Sequence, residues 1–201
     1  ISAAIASRPM RSILIFALLL LAAAPFPCAA QRAGATPSMV GLVSISADLN
    51  GDGVNDRAML LYDRESDGVD LAIYASVDGS LQERPAFYVA SLGWTGDMDG
   101  TLPAMSVDAA GALVVVFQNQ AAGQYRWRQQ YTIAYRGGVF VVAGYDYTTR
   151  DTVTAGAGGS CSVDFLAGRA TRDGKPATTP SPPTPLSAWS AANIPAACAF
   201  S

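Results

Sequence analysis

The segment Asp48–Asp56, with the sequence Asp-Leu-Asn-Gly-Asp-Gly-Val-Asn-Asp, has the residue types and the spacing of a metal-binding loop. Counted from Asp48, side-chain oxygens occur at positions 1, 3, 5 and 9, and position 7 can offer a backbone carbonyl. Ca²⁺ takes about six to eight oxygen ligands, and this spacing turns them towards one point. The predicted ligands are Asp48, Asn50, Asp52, Val54 and Asp56.

The loop differs from an EF-hand, in which position 12 is a bidentate glutamate. Here position 12 is Met59, and Arg57–Tyr62 is typical of a strand. A hydrated turn without an ion is the alternative, because Asp, Asn and Gly also form turns on their own. The nearby acidic segment Asp63–Asp70 has another spacing, and it predicts a solvated hairpin loop.

The Asp48–Asp56 segment followed by Ala58-Met-Leu-Leu61 resembles the D-x-(D/N)-G-D-G-x-x-D-hydrophobic signature of FG-GAP and VCBS repeats. The resemblance implies a calcium loop between strands of a propeller blade and a role in adhesion or extracellular recognition. It covers about 15 residues, and Gly96-Asp-Met-Asp-Gly100 repeats it only in part. One complete copy does not build a propeller.

A second resemblance spans residues 45–170. After the Asp-rich loop come Trp127–Tyr135, the Gly137-Gly138 turn, Val141–Asp146 and Cys161–Gly168. This order is similar to that of a group of exported bacterial proteins, in which a W…FRYQDGxFxLIG block precedes SxNYLTGK. The resemblance implies an exported location, periplasmic or secreted, and a β fold, but no activity.

Several kinds of chemistry are excluded by residue type. The chain contains no histidine, which removes the commonest general base and all Ser-His-Asp and Cys-His arrangements. The two phosphate-cradling patterns, Gly-x-x-x-x-Gly-Lys and Gly-x-Gly-x-x-Gly, do not occur. We therefore predict a protein that is not an enzyme, with no catalytic residue; a metal-dependent hydrolase that uses Asp carboxylates is the alternative.

The N-terminal residues 1–30 have the organisation of a secretory signal peptide. Arg8 and Arg11 precede the apolar run Ile13–Ala24, and small residues lead to an expected cleavage after Ala30. The run is shorter than the roughly 20 residues of a membrane span, so no span is expected after signal removal. A lipoprotein acylated at Cys28 is the alternative, which the preceding Pro-Phe-Pro disfavours.

The chain beyond the signal is acidic. It keeps 11 of the 13 basic residues and all 16 acidic ones, a formal charge of −5. This balance gives no support for nucleic-acid binding. Two of the three cysteines also remain, Cys161 and Cys198. Because exported chains meet an oxidising compartment, we predict a disulfide between them.

The elements that must position the loop are strands. Residues 39–172 contain short β-branched and aromatic runs bounded by Asp and Gly, and no convincing helix. Asp78-Gly79 and Gly137-Gly138 suit hairpin turns with positive φ angles. The predicted strands are Val40–Ser46, Arg57–Tyr62, Val69–Ala75, Ala86–Ala90, Ala112–Phe117, Tyr125–Tyr135 and Val139–Ala143.

Alternation is clearest in Tyr125–Tyr135. The side chains of one parity are aromatic or aliphatic, except Gln129: Tyr125, Trp127, Tyr131, Ile133 and Tyr135. This pattern predicts one buried and one solvated face. A carbohydrate-stacking platform is the alternative, although an aromatic row on a strand usually belongs to the core.

These patterns predict four segments: signal peptide 1–30, flexible leader 31–38, β domain 39–172, and Pro-rich linker and docking tail 173–201. The Pro-rich part, 174–185, favours extended polyproline II and is not expected to join a sheet. The predicted fold class is all-β, an antiparallel meander (a sandwich or a partial propeller-like sheet) with a Pro-rich C-terminal strap.

The predicted function is that of an exported β-rich binding or structural protein with a single calcium-stabilised loop. Its partner would be an envelope protein or an extracellular ligand. The candidate docking surfaces are an exposed strand edge and the tail, residues 186–201.

Overall fold

The computed structural model describes residues 38–178 and 180–200. The predicted signal peptide, with Cys28, and the leader up to residue 37 lie outside the described residues. Within the described ranges the chain consists of strands and turns, and its only helical elements are three short 3-10 turns, Leu186–Ala188, Ala191–Asn193 and Ala196–Cys198. The all-β prediction is confirmed.

Fourteen strands follow one another along the described chain. They are β1 Met39–Ala47, β2 Asp56–Asp63, β3 Gly68–Tyr74, β4 Ser76–Val77, β5 Ser80–Leu81, β6 Phe87–Gly93, β7 Ala104–Val107, β8 Leu113–Asn119, β9 Tyr125–Arg136, β10 Val139–Asp151, β11 Gly158–Asp164, β12 Arg169–Arg172, β13 Lys175–Pro176 and β14 Thr184–Pro185.

Two antiparallel sheets make up most of the fold. The first has four strands in the order β1-β2-β3-β6, and the second has eight, in the order β13-β12-β11-β10-β9-β8-β7 with β14 added beside β10. Apart from β14, strands that are consecutive within each sheet pair with one another, as the meander prediction requires. The inward side chains of both sheets share one core; Phe87 of β6, for example, meets Phe140 of β10 edge to face at 4.7 Å.

The predicted hairpin turns have the backbone that their residues allow. Asp78 and Gly79 have φ angles of +50° and +76°, and Gly137 and Gly138 have +57° and +88°. Two successive positive φ angles match the twist of the flanking strands. These turns set the register of β4 against β5 and of β9 against β10.

The second sheet extends further than the sequence predicts. β10 continues to Asp151 instead of ending near Ala143, and β11 begins with Gly158 and Gly159, which have low strand propensity. Gly158 pairs with Arg150 at a φ of +126°, a conformation that L side chains rarely adopt. Pairing with β10 therefore overrides the propensity of this segment.

The Pro-rich strap does join the sheet, so that prediction is wrong. Pro185 lies opposite Val141 and Thr184 opposite Val142, while β13 pairs with β12. Proline cannot donate a hydrogen bond, but its carbonyl can accept one, and both segments lie at edges where one-sided pairing suffices.

The tail after the strap is part of the core. Trp189 is 8 % exposed and packs against Tyr131, Tyr145 and Phe165. Cys198 lies 5.2 Å from Cys161 between Cα atoms and forms the predicted disulfide.

Candidate metal centre

The carboxylate of Asp48 folds the loop between β1 and β2. Its Oδ1 accepts hydrogen bonds from the backbone N–H groups of Gly51 at 2.7 Å and Asp52 at 3.2 Å, and Oδ2 accepts one from Gly53 at 2.9 Å. The pKa of Asp48 lies below its ordinary value. The Gly53 N–H group lowers it most, desolvation opposes this shift, and the N–H groups of Gly51, Asp52 and Asn50 lower it further. Asp48 is therefore an anion that its own loop stabilises.

Asn50 and Asp52 form the rest of the outer side of the loop. The Asn50 amide donates to Asp52 Oδ2 at 2.9 Å, and Asn50 Oδ1 accepts from the Asp52 N–H at 2.9 Å. Asp52 Oδ1 accepts from the Val54 N–H at 2.8 Å. The structure thus ties Asp48, Asn50 and Asp52 to one another through short local hydrogen bonds.

Asp56, the fourth predicted side-chain ligand, lies in the interior and is 1 % exposed. Its Oδ2 accepts from the Leu49 N–H at 3.2 Å, and its Oδ1 accepts from the Ser76 N–H at 2.9 Å. Asp56 therefore fastens the loop to the first residue of β4. Among the described residues, no three Asp, Glu, Cys or His side chains form a group that could hold a metal ion.

The donors on the outer side of the loop, two carboxylates and one amide oxygen, are hard oxygen ligands of the kind that Ca²⁺ takes. They fit a partly hydrated ion with additional backbone or water oxygens better than a complete protein cage. The cleft beside the loop has a volume of about 130 Å³ and is lined by residues 48–51, 110–112 and 134–136. This is below the roughly 300 Å³ of ordinary ligand pockets.

Asp70 is a second buried carboxylate, and the prediction of a solvated hairpin loop over Asp63–Asp70 is wrong at this residue. It is 1 % exposed on β3, accepts from the Ser91 N–H at 2.7 Å and from the Tyr88 hydroxyl, and faces a bulge at which Ser91 has a φ of +50°. Desolvation and then the bond to Asp70 raise the pKa of Tyr88 to about 12. The position of Asp70 between Val69 and Leu71, inside a predicted strand, is the signal that could have identified it.

The aromatic row of β9 is only partly core. Tyr131 and Ile133 are buried as predicted. Tyr125, in contrast, is 63 % exposed, and Trp127 is half-buried against Trp94, with their ring centroids 5.9 Å apart. The prediction of a uniformly buried face is therefore wrong at this end of the strand.

The titration of the acidic turns predicts how stability depends on pH. Backbone N–H groups lower the pKa of Asp48, Asp63 and Asp151, led by those of Gly53, Glu65 and Val153, respectively. Because each folded-state pKa lies below the unfolded one, this stabilisation is present above the ordinary value of 3.8 and is lost as pH falls through the lower, folded-state value.

At high pH the stability depends on pH in the opposite direction and falls as pH rises. Desolvation raises the pKa of Tyr145 to about 12 and that of Tyr131 further, so their stabilisation is present below the ordinary value of 10 and is lost above it. We expect a melting temperature that is level from about pH 5 to 8, because no histidine titrates there, and that falls below about pH 4 and above about pH 10. Thermal unfolding followed by circular dichroism checks this, and a step between about pH 5.5 and 7.5 contradicts it.

Comparison of the chain with protein-family models, with curated proteins and with solved structures found no match. In the part of the chain that the structure describes, no helix is long and apolar enough to cross a membrane.

Proposed function

We propose that this chain is an exported β-sheet protein with a binding or structural role and no catalytic activity, in which one Ca²⁺ stabilises the 48–56 loop. One observation carries the proposal: Asp48 accepts three N–H groups of its own loop and so keeps Asp48, Asn50 and Asp52 together on the outer side. A loop that is already ordered loses little entropy when it binds an ion.

In the proposed site, the side chains of Asp48, Asn50 and Asp52 and the carbonyl of Val54 hold the ion, and water completes the shell. Asp56 acts as an anchor through its bonds to Leu49 and Ser76. The ion supplies positive charge where the chain lacks it, because residues 48–70 carry seven acids and two arginines. An incomplete protein shell favours the weak affinity of extracellular calcium modules, with a Kd of about 10⁻⁴ to 10⁻³ M.

The alternative of an Asp-dependent hydrolase has less support. A general acid needs a raised pKa, whereas the pKa of Asp48 is lowered. Hydrolysis also needs room for a substrate, and the adjoining cleft of about 130 Å³ is small. The same features suit a loop whose ion is structural.

An exported location is consistent with the Cys161–Cys198 disulfide, because such bonds persist in oxidising compartments. We propose a periplasmic or secreted protein whose partner is an envelope protein or an extracellular ligand.

Isothermal titration of chelated protein with CaCl₂ tests the calcium site. We expect binding in the range of about 0.1 to 1 mM, and Asp52→Ala should abolish it because this exposed carboxylate is one of two acidic ligands. Asp99→Ala is the matched control, since Asp99 is an exposed acid in the partial repeat Gly96–Gly100, and it should bind as the wild type does. No heat with wild-type protein at about 5 mM CaCl₂ removes the ion from the proposal.

A further inference from the structure

The inner face of the second sheet extends beyond the first sheet. Tyr131 lies opposite Tyr145 at the limit of the shared core, where the Tyr131 hydroxyl reaches the Leu92 carbonyl of β6 at 3.3 Å. β6 ends at Gly93. β9 and β10 continue, with Gln129 opposite Tyr147, Trp127 opposite Thr149 and Tyr125 opposite Asp151 on the same face.

Two further aromatic residues border this part of the face, which no described strand of the first sheet covers. Trp94, which directly follows β6, is 37 % exposed and meets Trp127. On the other side, Phe200 of the tail packs against Tyr147 with ring centroids 6.0 Å apart. Phe200 lies against the backbone of Gly159, where a Cβ atom would collide with its ring. Because Gly159 has no Cβ atom, the Phe200 ring can lie against β11 and border this face.

Three adjoining cavities make this face one continuous groove. Their volumes are about 440, 550 and 340 Å³, each within the usual range for ligand sites. Trp127, Tyr147 and Phe200 line both the first and the second cavity, and Gln129 and Ile194 line both the second and the third. We call this surface the aromatic groove.

The charged groups of the aromatic groove are satisfied within the protein. The carboxylate of Asp151 accepts from the N–H groups of Val153 and Thr154 and from the amide of Gln124. The guanidinium of Arg172 lies 4.3 Å from the centre of the Phe200 ring and donates to the Ala199 carbonyl. One carboxylate and one guanidinium leave the groove without net charge, so it complements an uncharged ligand.

The neutral polar groups leave hydrogen-bonding capacity. Gln129 Nε2 donates to the hydroxyls of Tyr131 and Tyr145 at 2.8 and 2.9 Å. These bonds fix the amide, and no described residue donates to its Oε1. A ligand hydroxyl can use this acceptor at the floor of the groove.

We propose that the aromatic groove binds a neutral, extended oligosaccharide. A pyranose ring offers an apolar C–H face that packs on the electron-rich faces of Tyr125 and Trp127, and hydroxyls at its edge that suit Gln129 and Thr149. The three successive cavities suit several linked sugar units. This inference goes beyond the calcium proposal, because the aromatic groove lies at the end of the strands opposite the 48–56 loop.

The test is tryptophan fluorescence and isothermal titration of the full mature protein with cellohexaose, chitohexaose and xylohexaose, in buffer containing chelator. At least one of these oligosaccharides should bind and change the fluorescence emission of Trp94 and Trp127. The buried Trp189 should not contribute to this change. We expect Trp127→Ala to weaken binding about tenfold or more and Tyr125→Ala about threefold or more, by analogy with losses at other aromatic stacking sites. Arg128→Ala, next to Trp127 on the opposite face, is the matched control and should keep the wild-type affinity.

The melting temperature shows whether each variant is folded, and Tyr125→Ala serves if Trp127→Ala is not. The proposal is overturned if none of the three oligosaccharides binds at about 5 mM, a concentration that exceeds a Kd of about 1 mM. Unchanged affinity in both aromatic variants also overturns it. A peptide with the sequence of residues 176–185 tests another class of ligand, because aromatic grooves also bind proline-rich chains. Binding of this peptide when no oligosaccharide binds also overturns the proposal. Because every sample contains chelator, oligosaccharide binding is measured independently of Ca²⁺ binding by the 48–56 loop.

Discussion

Asp56→Ala should lower the free energy of unfolding by about 2–5 kcal/mol, because it leaves two buried backbone N–H groups without an acceptor. Those groups belong to Leu49 and Ser76, and both bonds are buried. Loss of the carboxylate also releases the loop from the start of β4. Urea unfolding at neutral pH, followed by circular dichroism, measures the change.

Asp52→Ala is the matched control, because Asp52 is an exposed acid of the same loop, and its loss should cost less than about 1 kcal/mol in chelator. Asp56→Asn should fall between the two, since an amide can accept one of the bonds but presents its NH₂ to the other N–H. A stability of Asp56→Ala within about 0.5 kcal/mol of the wild type contradicts the anchoring role.

Removing the disulfide should have an effect of similar size. Cys161 and Cys198 are 37 residues apart in sequence, and closing a loop of that length stabilises a folded chain by about 3–4 kcal/mol in the chain-entropy account. The bond also holds the segment that carries Trp189 against Tyr131 and Tyr145. We expect the double variant Cys161→Ala/Cys198→Ala to have a free energy of unfolding in urea that is lower by about 3–4 kcal/mol.

Reductant provides the control for the disulfide prediction. It should destabilise the wild-type protein and leave the double variant unchanged. Non-reducing mass spectrometry should find neither Cys161 nor Cys198 as a free thiol. Equal stability of oxidised and reduced wild-type protein would contradict the prediction.

The features that the sequence predicts correctly depend on neighbouring residues. The turns at Asp78-Gly79 and Gly137-Gly138, for example, need only two successive positive φ angles. The disulfide, in contrast, joins residues 37 apart, and it is predictable because only two of the three cysteines lie in residues 31–201.

The features that the sequence misses depend on distant partners. Asp56 turns inward because the N–H of Ser76, 20 residues away, is there to bind it. Asp70 is buried because Ser91, 21 residues away, forms a bulge beside it. The spacing of a loop or strand does not reveal these contacts. It predicts Asp56 as an ion ligand, which stays a prediction, but not the bonds that hold Asp56 inside the protein. It predicts Asp70 as a solvated acid, whereas Asp70 is buried.

The aromatic row shows a related limit. The parity of Tyr125 and Trp127 with Tyr131 follows from strand geometry. Whether that face is covered depends on where the opposite sheet ends, and β6 ends at Gly93. Periodicity identifies a face but not the length of the element that packs on it.

The melting temperature of chelated protein before and after addition of Ca²⁺, at constant ionic strength, tests the central claim most directly. With a Kd near 0.5 mM, about 5 mM Ca²⁺ stabilises the folded state by about 1.4 kcal/mol, which corresponds to a rise of about 3–5 °C for a chain of this size. We predict that rise for the wild type and Asp99→Ala and none for Asp52→Ala. A wild-type melting temperature that Ca²⁺ leaves unchanged would contradict a calcium-stabilised loop.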